Sequence, residues 1–351
     1  MIDVRESVTS LTLRLECLRK FDSGFSHHQM ELKDIFLNQT GRLRSGWRLA
    51  VFCVLYLVIL GLSIQLIKAL LLLAPDSFGP VLESNWGFVV QAVLLLIVPA
   101  VLAGWACSKF LEDLPARSLG LALQTGWFRD FLSGSLVGVA SLLFAAAIVT
   151  FSGGFHFALN APLLFESVGK TLLVSCLVFI IAAAGEEALF RGYPLQTMAR
   201  SHQAWVAIII TSIIFSYGHL NNPNAVAGFT FINTALAGLW LAIAYLRTRN
   251  LWFPLGIHWA WNWTMGAVLG LPVSGIERLT PHPLLRATDL GPAWLTGGHY
   301  GIEGGAACTI ALLLSTFFIW RTRLVSPTEE MMRLTDQENP KPEQQQSLTI
   351  L

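Results

Sequence analysis

The sequence predicts an all-α membrane protein, a polytopic transmembrane bundle of about eight spans. Three observations carry this. Of 351 residues, 54% are hydrophobic and only 13% are charged, with a mean hydropathy of +0.59. Soluble domains carry about 25% charged residues, so a chain this poor in charge cannot cover a water-facing surface. The apolar residues gather into runs of bilayer length, and Lys and Arg concentrate in alternate loops between those runs.

A bilayer core takes about 20 apolar residues per helix. On that measure the expected spans are Leu49–Leu73, Phe88–Cys107, Phe131–Phe151, Thr171–Ala199, Trp205–Gly218, Ala225–Leu246, Leu251–Gly270 and Gly304–Trp320. Before them, residues 1–45 mix acidic and basic side chains without the apolar core of a signal peptide. They are expected as a cytoplasmic arm, with a short amphipathic helix over Ser7–Leu18 at the membrane surface. Residues 46–324 form the transmembrane domain. Residues 325–351, with the run from Asn339 to Gln346, are too polar to bury a core and are expected as a disordered cytoplasmic tail.

Orientation follows from the loops. Arg42, Arg44 and Arg48 precede the first span, while Lys109, Arg117 and Arg129 fill the second loop. Arg191 and Arg200, Arg247 and Arg249, and Arg321 and Arg323 continue the alternation. Both termini are therefore expected in the cytoplasm of a cell whose cytoplasmic membrane holds the chain. The seventh loop, residues 271–303, breaks the pattern with Arg278 and Arg286, but longer segments cross largely regardless of charge. A net charge of +1 gives no basic field for nucleic acid. The 5 cysteines lack CxxC spacing and read as small buried hydrophobes.

Ionisable residues inside spans are costly and usually functional. They fall in three places: Glu186 and Glu187 followed by Arg191, Phe215 followed by His219, and His258 followed by Asn262. Each group holds residues four apart, which share one helix face. Glu187 and Arg191 can thus pair, Phe215 can wall the ring of His219, and His258 with Asn262 can aim two donors at one point. At 1.5 Å per residue, Glu186 lies about 20 Å from the cytoplasmic end of its span, His219 about 25 Å, His258 about 12 Å and Asn262 about 18 Å. The depths overlap only if the fourth helix continues past Gly192 and Pro194 to Ala199, and proline kinks helices.

A carboxylate beside an imidazole polarises water, directly or through a metal. A second imidazole and a carboxamide can stabilise an oxyanion. Those are the parts of a hydrolase with water as nucleophile. No GxSxG elbow and no HExxH helix is present. The residues leave a metal open: Zn²⁺ could be held by Glu186, His219 and His258, or the same groups could act without one.

The three groups, in order, resemble the EExxxR, FxxxH and HxxxN motifs of the CAAX prenyl endopeptidase and bacteriocin-processing family of intramembrane metalloproteases. The resemblance covers roughly residues 131–320 and implies an eight-helix protease domain. It implies that Glu186 activates water, that His219 shares that water or holds a metal, that His258 and Asn262 stabilise the oxyanion, and that Glu187 and Arg191 support them. The implied partners are membrane lipid and a hydrophobic or lipid-anchored peptide.

Other readings compete. Glu186 and Glu187 could snorkel from a helix end, and His219 could face the outer interface. Trp252, Trp259, Trp261 and Trp263 read as a belt or as packing. Tyr217 and Asn233 read as interhelical hydrogen-bonders, Gly153, Gly154 and His156 as a turn, and Glu303 as a cap on the last helix. Buried Glu and His also serve transporters, though no inverted repeat is visible. A non-catalytic peptide-binding or immunity protein would use the same pocket.

Overall fold

The computed structural model describes residues 32–160 and 166–335. The helix expected over Ser7–Leu18 and the polar run from Asn339 lie outside the described residues. What remains is a bundle of helices, because a chain in lipid must satisfy its backbone internally. Besides two short helices, Leu32–Phe36 and Ala293–Thr296, they are in order α1 (Ser45–Leu73), α2 (Pro75–Glu83), α3 (Asn85–Glu112), α4 (Trp127–Phe151), α5 (Ser167–Arg200), α6 (Ala204–His219), α7 (Ala227–Thr248), α8 (Trp252–Trp263), α9 (Ala306–Arg321) and α10 (Glu329–Thr335). Of these, α1, α3, α4, α5 and α7 are long and apolar enough to cross a membrane, and α6 and α9 are shorter apolar helices. The protein is a multi-pass membrane bundle.

Helix α5 passes Gly192 and Pro194 without ending, through a π turn over Ala188–Gly192. The wider turn accommodates a proline that has no N–H to give. Such turns are frequent at functional sites. The helical run is long, as the sequence leads one to expect, and Gly192, at ψ −123°, leaves the helical region within it, beside the π turn.

The positions of α4 and α8 are set by glycine. A Cβ on Gly134 would stand 2.1 Å from the Phe253 carbonyl oxygen, and one on Gly138 would stand 2.3 Å from that of Ile257. From the other side, a Cβ on Gly256 would meet the Phe131 carbonyl at 2.2 Å. Small residues let backbones approach this closely, which is how helices associate in lipid. Polar ties add to it. Ser141 and Ser315 share a hydrogen bond of 2.8 Å, and the Trp240 indole donates to Ser315 at 2.9 Å, joining α4, α7 and α9. Around them Leu142, Phe253, Ile257, Met265 and Ile302 form the core.

Two expectations are corrected. Residues 155–159 and 285–289 form an antiparallel pair, β1 and β2, with Phe155 opposite Asp289, so His156 lies in a strand and only Gly153 and Gly154 remain in the turn. The segment after the last span is not wholly a tail: α10 forms, with Met331 and Thr335 buried and Glu330 3.1 Å from Arg117. The glycine-rich loop, residues 271–303, whose role the sequence leaves open, packs into the core. Tyr300 and Ile302 are fully buried, and burial pushes the Tyr300 phenol pKa up, with the nearby Glu303 charge adding to it. The chain can fold back this tightly because Gly297, at φ 84°, lies where any Cβ would meet the Gly301 carbonyl at 1.8 Å.

Candidate active site

Helix α5 carries Glu186 and Glu187 on adjacent positions, so they point to different surroundings. Glu187 is wholly buried. Its Oε1 accepts from Arg191 Nη1 at 3.0 Å, the pairing expected from the four-residue spacing. The same oxygen lies 2.9 Å from His258 Nδ1 on α8. A carboxylate accepts, so Nδ1 is the donor and the imidazole is oriented by α5. Arg191 also donates to the Gly238 carbonyl on α7 at 3.1 Å and lies over the Phe215 ring at 5.0 Å. One carboxylate and one guanidinium thus join α5 to α6, α7 and α8.

Glu186 faces the other way, into a cavity of about 400 Å³. His219, His258 and Asn262 line the same cavity. His258 Nε2 is 3.5 Å from Glu186 Oε2, beyond a direct hydrogen bond and within ion-pair reach. Glu186 Oε2 is buried and has no hydrogen-bond partner among the described residues. An orphan carboxylate oxygen in a polar recess calls for water. The His219 Nδ1 is 2.7 Å from the Phe215 carbonyl oxygen one turn earlier. A carbonyl only accepts, so Nδ1 carries a proton, and in the neutral ring Nε2 has the lone pair. Phe215 walls both imidazoles, with ring centroids 4.5 Å from His219 and 6.2 Å from His258. The four sequence-distant residues therefore meet at one recess, while Glu187 and Arg191 stand behind His258.

Among the described residues no three His, Cys, Asp or Glu side chains converge in a metal-holding group. His258 Nδ1 is engaged by Glu187 and His219 Nδ1 by a carbonyl, so Nε2 is the ring nitrogen that a metal would take in each.

Part of the cavity was not legible as site. Glu303, expected as a cap, does not cap α9, whose N-cap is Gly305. It lines the cavity instead. Its Oε1 accepts from the Trp261 indole at 3.1 Å, and its Oε2 accepts from the Ser274 amide and hydroxyl, each at 2.8 Å. Asn233 does bridge elements as expected, donating to the Glu303 and Gly305 carbonyls at 2.7 and 2.9 Å. Tyr217 is 69% exposed and points outward. Of the tryptophans, Trp259 and Trp263 donate to the Cys176 and Leu172 carbonyls of α5. They pack, as read, and Trp261 forms cavity wall. A signal for Glu303 did exist: a lone acid in an apolar, glycine-rich loop.

An uncharacterized 24.3 kDa protein of Escherichia coli is 30% identical over 107 residues, covering 30% of this chain and 48% of that protein. The chain thus spans about half the length of the curated relative it matches. No solved structure matches. The match to a known family lies on the segment that carries Glu186, His219, His258 and Asn262: residues 168–264, which hold all three motifs, match the Rce1-like family, type II CAAX prenyl endopeptidases.

Proposed function

We propose that the protein is an intramembrane endopeptidase that hydrolyses a peptide bond of a membrane-associated or lipid-anchored peptide with a water activated by Glu186. The observation that carries the reading is the shared cavity of Glu186, His219, His258 and Asn262, on the segment that matches the Rce1-like family.

Glu186 Oε2 takes a proton from water as the water oxygen attacks the carbonyl carbon. His219 Nε2 accepts the water's second hydrogen and so aligns its lone pair. The oxyanion that develops receives hydrogen bonds from His258 Nε2–H, in the doubly protonated ring that Glu187 holds, and from the Asn262 carboxamide. Glu186 then gives its proton to the leaving nitrogen as the C–N bond breaks, which yields a carboxylic acid and an amine. No step needs a metal. Both termini lie in the cytoplasm, as the arginine distribution supports, the bilayer and a hydrophobic peptide are the partners, and nucleic acid is not one.

The test is cleavage by the purified protein in proteoliposomes. Glu186→Gln, His219→Ala and His258→Ala each reduce the rate at least about 100-fold, and Asn262→Ala reduces it about 100- to 1,000-fold. Transport of solute with no cleavage by the wild type would replace this reading with a permease.

A further inference from the structure

Among the described residues several buried or half-buried carboxylates are paired with cations, while the buried Asp130 accepts from the Asn250 amide at 2.8 Å and stands 4.0 Å from Arg129. Glu187 has Arg191, Glu112 has Arg48 and Arg200, and Glu186 has His258. Glu303 is held by three neutral donors, the Trp261 indole and the amide and hydroxyl of Ser274, and forms no ion pair among the described residues. Three donors hold a carboxylate in place but do not cancel its charge. They also leave acceptor capacity on Oε1, which receives one bond where a carboxylate oxygen takes two. The carboxylate lines the cavity that holds Glu186 and His219. Thr234, Asn222 and Ser274 make this end of the cavity polar, whereas Leu189, Phe190 and Leu312 make the rest apolar. In a recess with many apolar side chains in its lining, a fixed negative charge discriminates among ligands by sign.

We infer that Glu303 is a specificity-determining residue, which takes a cationic group of the substrate peptide, a Lys or Arg side chain or an amino terminus, at the polar end of the cavity. The inference rests on the endopeptidase reading and sharpens it. The peptide enters with an apolar segment along Phe190 and Leu312, and a positive group one or a few residues away reaches Glu303. A peptide presenting a carboxylate there is rejected.

The experiment uses the full-length protein in proteoliposomes and a panel of apolar peptides. A single Lys, Gln or Glu is moved through successive positions on either side of the centre. Both cleavage and equilibrium binding of the fluorescently labelled peptides are measured. At one register, Lys is preferred over Gln by about tenfold or more and Glu is the poorest. In Glu303→Gln, the Lys-to-Gln ratio falls to near unity in binding and in kcat/KM. A residue that only held the loop would change all three peptides alike and leave their ratios intact. Equal binding of the three peptides at every register by the wild type overturns the inference without recourse to any variant. So does an unchanged ratio in a folded Glu303→Gln. A wild type that binds with the Lys preference but cleaves nothing supports the inference and sinks the hydrolase.

Discussion

Glu186 and Glu187 are neighbours in sequence with opposite tasks, and substitution separates them. Glu187 compensates a fully buried guanidinium and orients an imidazole. Breaking a buried pair costs about 3–5 kcal/mol, because the remaining charge stays buried alone. Glu187→Gln is therefore expected to lower the melting temperature by roughly 5–15 °C and to reduce cleavage at least about 100-fold. Glu186 has a side chain 24% exposed to the cavity and an unpartnered oxygen. Glu186→Gln abolishes cleavage while leaving stability within about 1 kcal/mol. Thermal unfolding in detergent beside the rate checks both; equal destabilisation by the two would show that Glu186 is structural. The donors also predict the response to chelation. With no three His, Cys, Asp or Glu side chains converging among the described residues, dialysis against EDTA is expected to leave the rate unchanged. A stoichiometric metal whose removal ends cleavage would mean that the donors regroup. At this scale the sequence was legible where spacing is local: Glu187 with Arg191, and Phe215 with His219. The bond from Glu187 to His258 was not, because nothing local links residues on different helices.

The elements place those residues through close packing, and the crossing of α4 with α8 decides where His258 stands. At Gly138 a side chain would have to enter the Ile257 carbonyl, next to His258 in the chain. Gly138→Val is expected to force the helices apart, lower the melting temperature by several degrees and reduce cleavage more than tenfold. Gly228→Ala is the control, since a Cβ there meets nothing within 4 Å. It is expected to be neutral or to stabilise slightly. Equal tolerance of both would remove glycine packing as the device that positions α8. The helices themselves were readable because lipid demands long apolar runs. The β1–β2 pair was not. Its strands are five residues each, drawn from segments on either side of the core, and their register depends on the fold around them. The π turn in α5 was half readable: Pro194 marked the place, but only packing decides between a kink and a wider turn.

Across the whole molecule, α5 links the recess to a second buried charge cluster. Arg200, at the end of α5, donates to Glu112 at 3.1 and 2.7 Å, Thr197 donates at 3.2 Å, and Arg48 donates from α1. Glu112 is the last residue of α3, so one carboxylate ties the ends of α1, α3 and α5. The arginines were readable as topology signals before and after spans. Their inward turn was not, since the same residues at a span end ordinarily snorkel to water. The cluster lies about 21 Å along α5 from Glu186. Removing the shared acceptor leaves two guanidinium groups buried against each other. Glu112→Gln is therefore expected to destabilise the protein by about 3–5 kcal/mol and to cut the yield of folded protein. The cleavage rate per folded molecule stays within about twofold, because sites this far apart without shared partners act nearly independently. Thermal unfolding and rate, normalised to the folded fraction from size-exclusion chromatography, decide it. A normal melting temperature with a collapsed rate would mean that the cluster acts on the recess through α5, as a conformational link and not as a clamp on the helix ends.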